Sequence, residues 1–394
     1  PVGMWQRRFL CALFQAVFAL RGRVNFTNLS RFSPLHEQTF RRHFQKAFQW
    51  GWFNLILVRL RRHPEEPVIG VFDCTFVPKS GTETWGLGSF FSSQAGKPTK
   101  GLEASVLGVV ATESRRAFGV DVVQTPPDPA RERANELSTS EAEDYTRVDF
   151  YVKQIADLYD DLADLGVSYW VGDGFYAKQK VFDGVTSLGG ELITRLRSDA
   201  NVRYLYTGPR KDGRGAPKQY DGKIDWSDPR ELTRRFDEVG RLPDQPDVRV
   251  LTAVANSPYF GRDLRIVLLM GPEGEQVILA STDTDLCASN LVRYYRLRYQ
   301  IEFVIRDAKQ HTGLTHCQAR SQKKLDFHLN LSVAMVNLLR LLAQNAACSP
   351  RTYRREAYNR LLIRRLFSKL GLSAEYDPTD PRVQSVVRTG RMAH

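Results

Sequence analysis

Four side chains suited to gripping a phosphate beside a metal lie in one short stretch, LVRYYRLRYQIEFVIRDAKQHTGL: Tyr295, Arg298, Glu302 and Lys309. Their offsets of 0, 3, 7 and 14 from Tyr295 fall at roughly 0°, −60°, −20° and −40° on a helix advancing about 100° per residue. One continuous helix would carry all four on a narrow face. Leu297, Ile301, Val304, Ile305 and Ala308 fall at roughly −80° to −180° by the same arithmetic, an apolar side able to pack on a core. Alone, the stripe reads as a solvated face on which Arg298 and Glu302 form an i,i+4 pair worth a few tenths of a kcal/mol.

Two aspartates change that reading. Asp73 lies inside the apolar run VIGVFDCTF, where an ionised carboxylate costs several kcal/mol unless it is paired or bound to a metal. Asp173 closes SYWVGD and precedes Gly174, which puts it at the C-terminal edge of a parallel strand, where open α/β sheets bind ligands. Each has a structural alternative: Asp73 as an outward residue of an edge strand beside Thr75, and Asp173 as a turn former in Asp-Gly. Together with Glu302 they supply three carboxylates from three elements, the pattern that holds a pair of divalent ions about 3.5 to 4 Å apart.

The elements that must position these groups follow from hydrophobic period. From Trp5 to about His63 the pattern is helical, with starts expected at Asn28 or Ser30 and at Ser33. Arg41 and Arg42 there, interleaved with Phe40 and Phe44, suit a helix that contacts DNA or a second copy. At Pro67 the period becomes that of buried strands: PVIGVFDCTFVP, then WGLGSFFSS, then EASVLGVVATESRRAFGVDVVQT with a turn around Glu113 to Arg116. Residues 125–137 read as a loop, and STSEAEDYTRVDFYVKQIADLYDDLADLG as one long helix. A strand, a helix closed by glycine and the strand ELITRL complete an order of three strands, helix, strand, helix, strand. That is an α/β arrangement whose antiparallel start gives way to parallel crossovers.

Beyond it the expected regions are a β-rich insertion over 198–285, a second catalytic part over 286–348 and a basic helical region over 349–394, preceded by a first catalytic part over 67–197 and a helical region over 1–66. The basic turn Arg210, Lys211, Arg214 and Lys218 in the insertion reads as a DNA-contacting loop or a solvated one. The tail cations from Arg351 to Lys369 lean towards DNA.

Composition narrows the classes. At 394 residues and 42% hydrophobic content the chain can bury a large core. Its most apolar N-terminal piece, FLCALFQAVFAL, is 12 residues long, too short to span a bilayer, and RGRVNFTNLSR after it lacks a small-residue cleavage site. A core helix of a cytoplasmic protein is expected. The five cysteines show no CxxC spacing, against a zinc site or disulfide framework; His311, His316 and Cys317 read as capping or packing residues. A net charge of +12 fits a polyanionic partner, nucleic acid above all.

The spacing Tyr295-x2-Arg298-x3-Glu302-x6-Lys309, with Asp73 on the first strand and Asp173 after the fourth, resembles the YREK signature and acid order of bacterial insertion-sequence DDE transposases of the IS-four-like group. The resemblance covers about Val68 to Leu342, including a β-rich insertion between the second Asp and the Glu. It implies a ribonuclease-H-like mixed sheet with flanking helices. It also implies that Asp73, Asp173 and Glu302 hold two Mg²⁺ ions, with Mn²⁺ able to substitute. Arg298 and Lys309 would bind DNA phosphates and Tyr295 the backbone or an extruded base. Tyr176 in DGFYAK takes the place of a tyrosine that often follows the second Asp in the group, and it or Lys178 becomes a DNA contact. The implied function is cut-and-paste transposition by a homodimer in the bacterial cytoplasm, on transposon ends and target DNA, with no membrane and no small-molecule cofactor. Two alternatives stand beside it: a transposase-derived DNA-binding protein that does not cut, and a ribonuclease-H-like nuclease without strand transfer.

Overall fold

The computed structural model describes residues 3–132, 144–210 and 216–391. Four helices open the chain: α1 (Met4–Ala19), α2 (Phe26–Arg31), α3 (Glu37–His43) and α4 (Trp50–Arg61). The apolar N-terminal stretch is the core helix expected of it, with Leu13, Ala16 and Val17 buried. The expected starts at Asn28 or Ser30 and at Ser33 are corrected. Asn25 caps α2 by accepting the Asn28 amide at 2.9 Å, and His36 caps α3 by accepting that of Gln38 at 3.3 Å. An N-cap must be extended backbone with an acceptor reaching two or three residues ahead. Asn25 meets this, whereas Ser30 already lies in the helix, its hydroxyl donating back to the Thr27 carbonyl.

The central sheet follows: β1 (Val68–Pro78), β2 (Gly88–Ser92), β3 (Lys97–Ala111), β4 (Arg116–Thr125), then α5 (Arg147–Ala156), α6 (Tyr159–Ala163), β5 (Tyr169–Val171), α7 (Gln179–Ser187) and β6 (Glu191–Leu196). β1 runs antiparallel to β3 and parallel to β5, and β5 runs parallel to β6. With β4 on β3 this gives the order β4-β3-β1-β5-β6, the expected ribonuclease-H-like mixed sheet. The expected strand WGLGSFFSS is β2, a hairpin strand on β3, so the strands before the helices number four against the three of the summed order. A helix also differs from expectation. The single long helix is two, because the chain turns at Asp157–Leu158; its expected first residues, 138–143, lie outside the described residues, as do 133–137 of the expected loop. α5 starts at Thr146, whose hydroxyl and amide share the Asp149 carboxylate in a capping box.

The insertion is β-rich as expected: β7 (Arg203–Leu205), β8 (Tyr220–Lys223), α8 (Pro229–Arg235), β9 (Asp237–Leu242), β10 (Gln245–Ser257), β11 (Arg262–Met270) and β12 (Gln276–Ser281). β12 pairs antiparallel with β6, so the insertion prolongs the central sheet to 12 strands. Helices α9 (Ala288–Leu297), α10 (Gln300–Asp307), α11 (Gln322–Asn345), α12 (Pro350–Lys369) and α13 (Pro381–Val387) complete the chain. Among the described residues α11 is the one helix long and apolar enough to cross a membrane, and 72% of that stretch is buried inside the protein.

Strand alternation decides what β1 presents to each layer. Ile69, Val71 and Val77 join the core shared with Ile301, Val304 and Val333, whereas Val68 and Phe72 join a second core with Tyr151, Trp170 and Phe182. Asp73 has the parity of the first set, so it faces the layer of α10 and α11. Ile301 and Val304 are fully buried, each contributing about 1.5 to 3 kcal/mol to docking α10 over β1 and β3.

α11 also carries Asp326, close to Asp121 of β4. Burial and the Asp121 charge push Asp326 up to about 6. A carboxyl with a raised folded pKa binds more protons folded than unfolded, so stability falls as pH rises from about 4 to about 6 and the penalty persists above it. Asp326→Asn is therefore expected to stabilise the protein at pH 7.5 by on the order of 2 kcal/mol and to leave it unchanged at pH 4. Denaturant melts at the two pH values check this, and equal gains at both would contradict it.

Candidate active site

Asp73 lies on β1, and Asp173 follows the neighbouring parallel strand β5. The Asp73 carboxylate accepts the Cys74 amide at 2.8 Å. Asp173 lies just past β5 and caps the turn Gly174–Tyr176, accepting the Phe175 amide at 2.9 Å, while its carbonyl accepts the Thr194 hydroxyl of β6 at 2.8 Å. Gly172 permits this turn, since a Cβ there would lie 2.9 Å from Phe72 and 3.0 Å from Tyr176.

Glu302 arrives from the opposite layer, and the expected single helix beneath it is corrected. The chain tightens between α9 and α10: the Tyr299, Ile301 and Glu302 amides donate to carbonyls three residues back, at 3.1 to 3.3 Å. It then widens into a π turn over Ala308–Thr312, closed by Gly313 at φ +83°. The two departures change the winding in opposite senses. Tyr295, Arg298 and Glu302 still meet: an Arg298 guanidinium nitrogen donates to Glu302 at 3.2 Å, another lies 3.7 Å from Asp73, and the group stands 5.9 Å from the Tyr295 ring.

The electrostatics are those of crowded acids under partial burial. Burial pushes Asp73 up to about 6; Arg298 opposes this, and Asp173 and Glu302 add to it. Burial lowers Lys309, with the Asp73 charge pulling the other way. Burial raises Tyr295, opposed by Arg298 and Arg195. Arg298 is 14% exposed and its Nε finds no partner, the mark of a group held for something the protein itself does not supply.

Among the described residues no three acidic, His or Cys side chains stand close enough to hold a metal by themselves, because Arg298 bridges Asp73 and Glu302. The donor set nonetheless fits a divalent cation: three carboxylates, hard oxygen ligands, one of them lifted by burial with the other two charges adding to it. Taking up an ion there requires Arg298 to release at least one carboxylate.

Beside these acids opens a cleft of about 1280 Å³, lined by Asp173, Lys178, Arg195, Tyr259, Tyr295 and Arg298 among others. Its far wall, around Tyr259, is the turn between β10 and β11, so the insertion completes the cleft. Arg195 escaped the sequence reading; its signal is a lone outward cation in ELITRL beside the buried Thr194. Lys178 lies 4.8 Å over the exposed Phe175 ring. Tyr176 faces away from the cleft: it is 2% exposed, packs on Phe72 and sets its hydroxyl 3.3 Å from the Cys74 sulfur. That placement opposes the expected DNA contact and makes it a clip between the two acid-bearing segments.

The remaining expected contacts lie elsewhere. Arg41 pairs with Glu37 and covers Phe26, and Arg42 is exposed on α3. Arg210 is exposed; Lys211 and Arg214 lie outside the described residues. Of the tail cations, Arg354 donates to the Leu20 carbonyl. His316 accepts the Val24 amide and Cys317 is buried, both packing roles.

A family model described as DDE superfamily endonuclease matches residues 4–249, a span containing Asp73 and Asp173 and ending before Glu302. No curated protein matches the chain. Enzymes of this superfamily act on DNA and in general use divalent metals. With more than half of its sequence matched, the chain belongs to the DDE superfamily endonucleases.

Proposed function

We propose that the protein is a DNA transposase of the IS-four-like group, in which Asp73, Asp173 and Glu302 hold two Mg²⁺ ions, or Mn²⁺ in their place. The observation that carries this is the Arg298 bridge between Asp73 and Glu302, with the Asp73 carboxyl lifted by burial and, to a smaller extent, by the charges of Asp173 and Glu302. The ions, when bound, supply an activated nucleophile and charge neutralisation at the phosphorus. The chain's own groups do the rest. Arg298, once it leaves a carboxylate, and Lys309 neutralise phosphate oxygens beside the acids, and Tyr295 offers a ring and hydroxyl to the backbone or an extruded base at the element end.

Hydrolysis adds water across a phosphodiester and leaves a 3′-hydroxyl and a 5′-phosphate. Strand transfer then exchanges that 3′-hydroxyl for the alcohol of a target phosphodiester. The cleft lined by Lys178 and Arg195 gives a strand a cationic path. Division at 66, 197, 285 and 348, function as a homodimer and action on nucleoid DNA in a bacterial cytoplasm belong to the same proposal.

The test is joining. Purified protein, a labelled duplex carrying the element end and a target plasmid in Mg²⁺ are expected to give label covalently attached to plasmid. Nicking without joining supports a nuclease lacking strand transfer, and a mobility shift without either product supports a DNA-binding derivative.

A further inference from the structure

Away from the cleft, five arginines converge on a second cavity of about 330 Å³. Arg61 ends α4, Arg115 and Arg116 lie at the turn between β3 and β4, Arg306 follows Glu302 by one turn on α10, and Arg340 comes from α11. No basic run in the sequence makes this cluster; the fold does.

The charges around it do not cancel. Asp307 bonds Arg340 at 2.6 Å and lies 3.8 Å from Arg306. Glu66 accepts the Glu113 and Ser114 amides and the Ser114 hydroxyl and offsets part of the Arg116 charge, so two acids stand against five arginines. Asp244, whose charge Arg115 also feels, is held by both guanidinium nitrogens of Arg296 at 2.7 and 2.9 Å. Two of the arginines are fixed by neutral acceptors that leave their charge in place, Arg61 on Gln344 and Arg116 on the Arg61 carbonyl, while Arg340, paired with Asp307, also donates to the Ala117 carbonyl. Burial, together with Arg340 and Arg116, holds Arg61 down to about 10. Like charges gathered at this spacing are disfavoured unless an anion joins them.

Guanidinium forks match phosphate oxygens in pairs. Among the described residues the one aromatic ring on the wall is Phe303, already covered by Arg306 at 4.6 Å, so the pocket offers charge and little with which to read a base. Arg115 and Arg306, both exposed, form its outer rim.

We propose that this pocket grips a backbone phosphate of DNA, independently of base sequence, and anchors the duplex beside the helix that carries Glu302. The inference rests on the reading of the chain as a DNA-cutting enzyme.

The test uses the full chain and the double variant Arg115→Gly/Arg306→Gln. Arg115 adopts φ +55°, a conformation glycine takes freely, so the fold is spared. Fluorescence anisotropy of a labelled duplex is measured across a salt series, and thermal melts are taken with inorganic pyrophosphate. The expected result is a loss of about tenfold in affinity near 0.1 M salt and a slope of log K against log salt shallower by about one to two, with pyrophosphate raising the melting temperature of the wild type alone. Unchanged affinity and slope overturn the proposal. So does pyrophosphate stabilisation confined to the wild type with DNA binding unchanged, which assigns the pocket to a free phosphorylated ligand. A wild type that cuts DNA while the variant keeps its salt slope sinks the pocket alone; a wild type that never cuts, with the slope altered in the variant, sinks the catalytic reading and leaves the pocket standing.

Discussion

Glu302→Gln is expected to reduce metal-dependent strand cleavage by about 10³-fold or more while DNA affinity stays within a few-fold of the wild type. The substitution keeps size and shape, so Arg298 retains an oxygen acceptor at the position it now reaches at 3.2 Å. What is lost is one of three negative charges. Two aspartates and a neutral amide hold a divalent cation poorly, because an amide oxygen offers a dipole where a carboxylate offers a full charge. Tyr295, Arg298 and Lys309 stay in place to hold DNA. Asp73 should also ionise more easily, since Glu302 is one of the charges that raise it. Single-turnover cleavage of a labelled duplex in Mg²⁺, beside a mobility-shift titration, separates the two effects. Wild-type cleavage by the variant removes Glu302 from the site.

The second large effect concerns stability. Among the described residues no strand pairs with the outer edge of β4, and a bulge sets Gly108 opposite Gly119 and Leu107 opposite Asp121. Three buried asparagines replace the missing neighbour. Asn337 donates to the Gly119 carbonyl at 2.7 Å and accepts its amide at 3.3 Å; Asn330 does the same for Val122 at 2.7 and 3.0 Å. Asn54 donates to the Val120 carbonyl at 2.8 Å and is tied to Asn337 at 3.0 Å. Asn337→Leu keeps the volume approximately but orphans both Gly119 groups and the Asn54 oxygen. At about 1 to 3 kcal/mol for each buried unsatisfied group, partly relieved by relaxation, the expected loss is about 3 to 5 kcal/mol. Denaturant unfolding measures it, and a loss under about 1 kcal/mol would mean that water or a shifted backbone satisfies the edge.

These two cases mark the boundary of what the chain discloses in one dimension. The strands under Asp73 and Asp173 were legible because buried strands write continuous apolar runs bounded by Pro and Gly, and their ribonuclease-H-like arrangement was implied by the resemblance to DDE transposases. The face shared by Tyr295, Arg298 and Glu302 was legible from helical period. The break at Arg298–Tyr299 was not, since YRLRYQ contains neither Gly nor Pro and nothing local forces three-residue bonding. Tyr176 looked like a ligand contact because its partner Cys74 is 102 residues away. Asn330 and Asn337 lie in an otherwise apolar helix pattern and have meaning only against backbone 208 and 218 residues distant. The role of the insertion as a wall of the cleft depends on β12 joining β6, a pairing that apolar alternation does not specify.

The most direct test of the central claim is one reaction: the wild-type protein with an end-labelled duplex of the element end, in Mg²⁺ and in EDTA. A nick that leaves a 3′-hydroxyl is expected in Mg²⁺ and none in EDTA, with the product lost together in Asp73→Asn, Asp173→Asn and Glu302→Gln. Cleavage in EDTA, or cleavage that survives any one of those three substitutions at the wild-type rate, would contradict that claim.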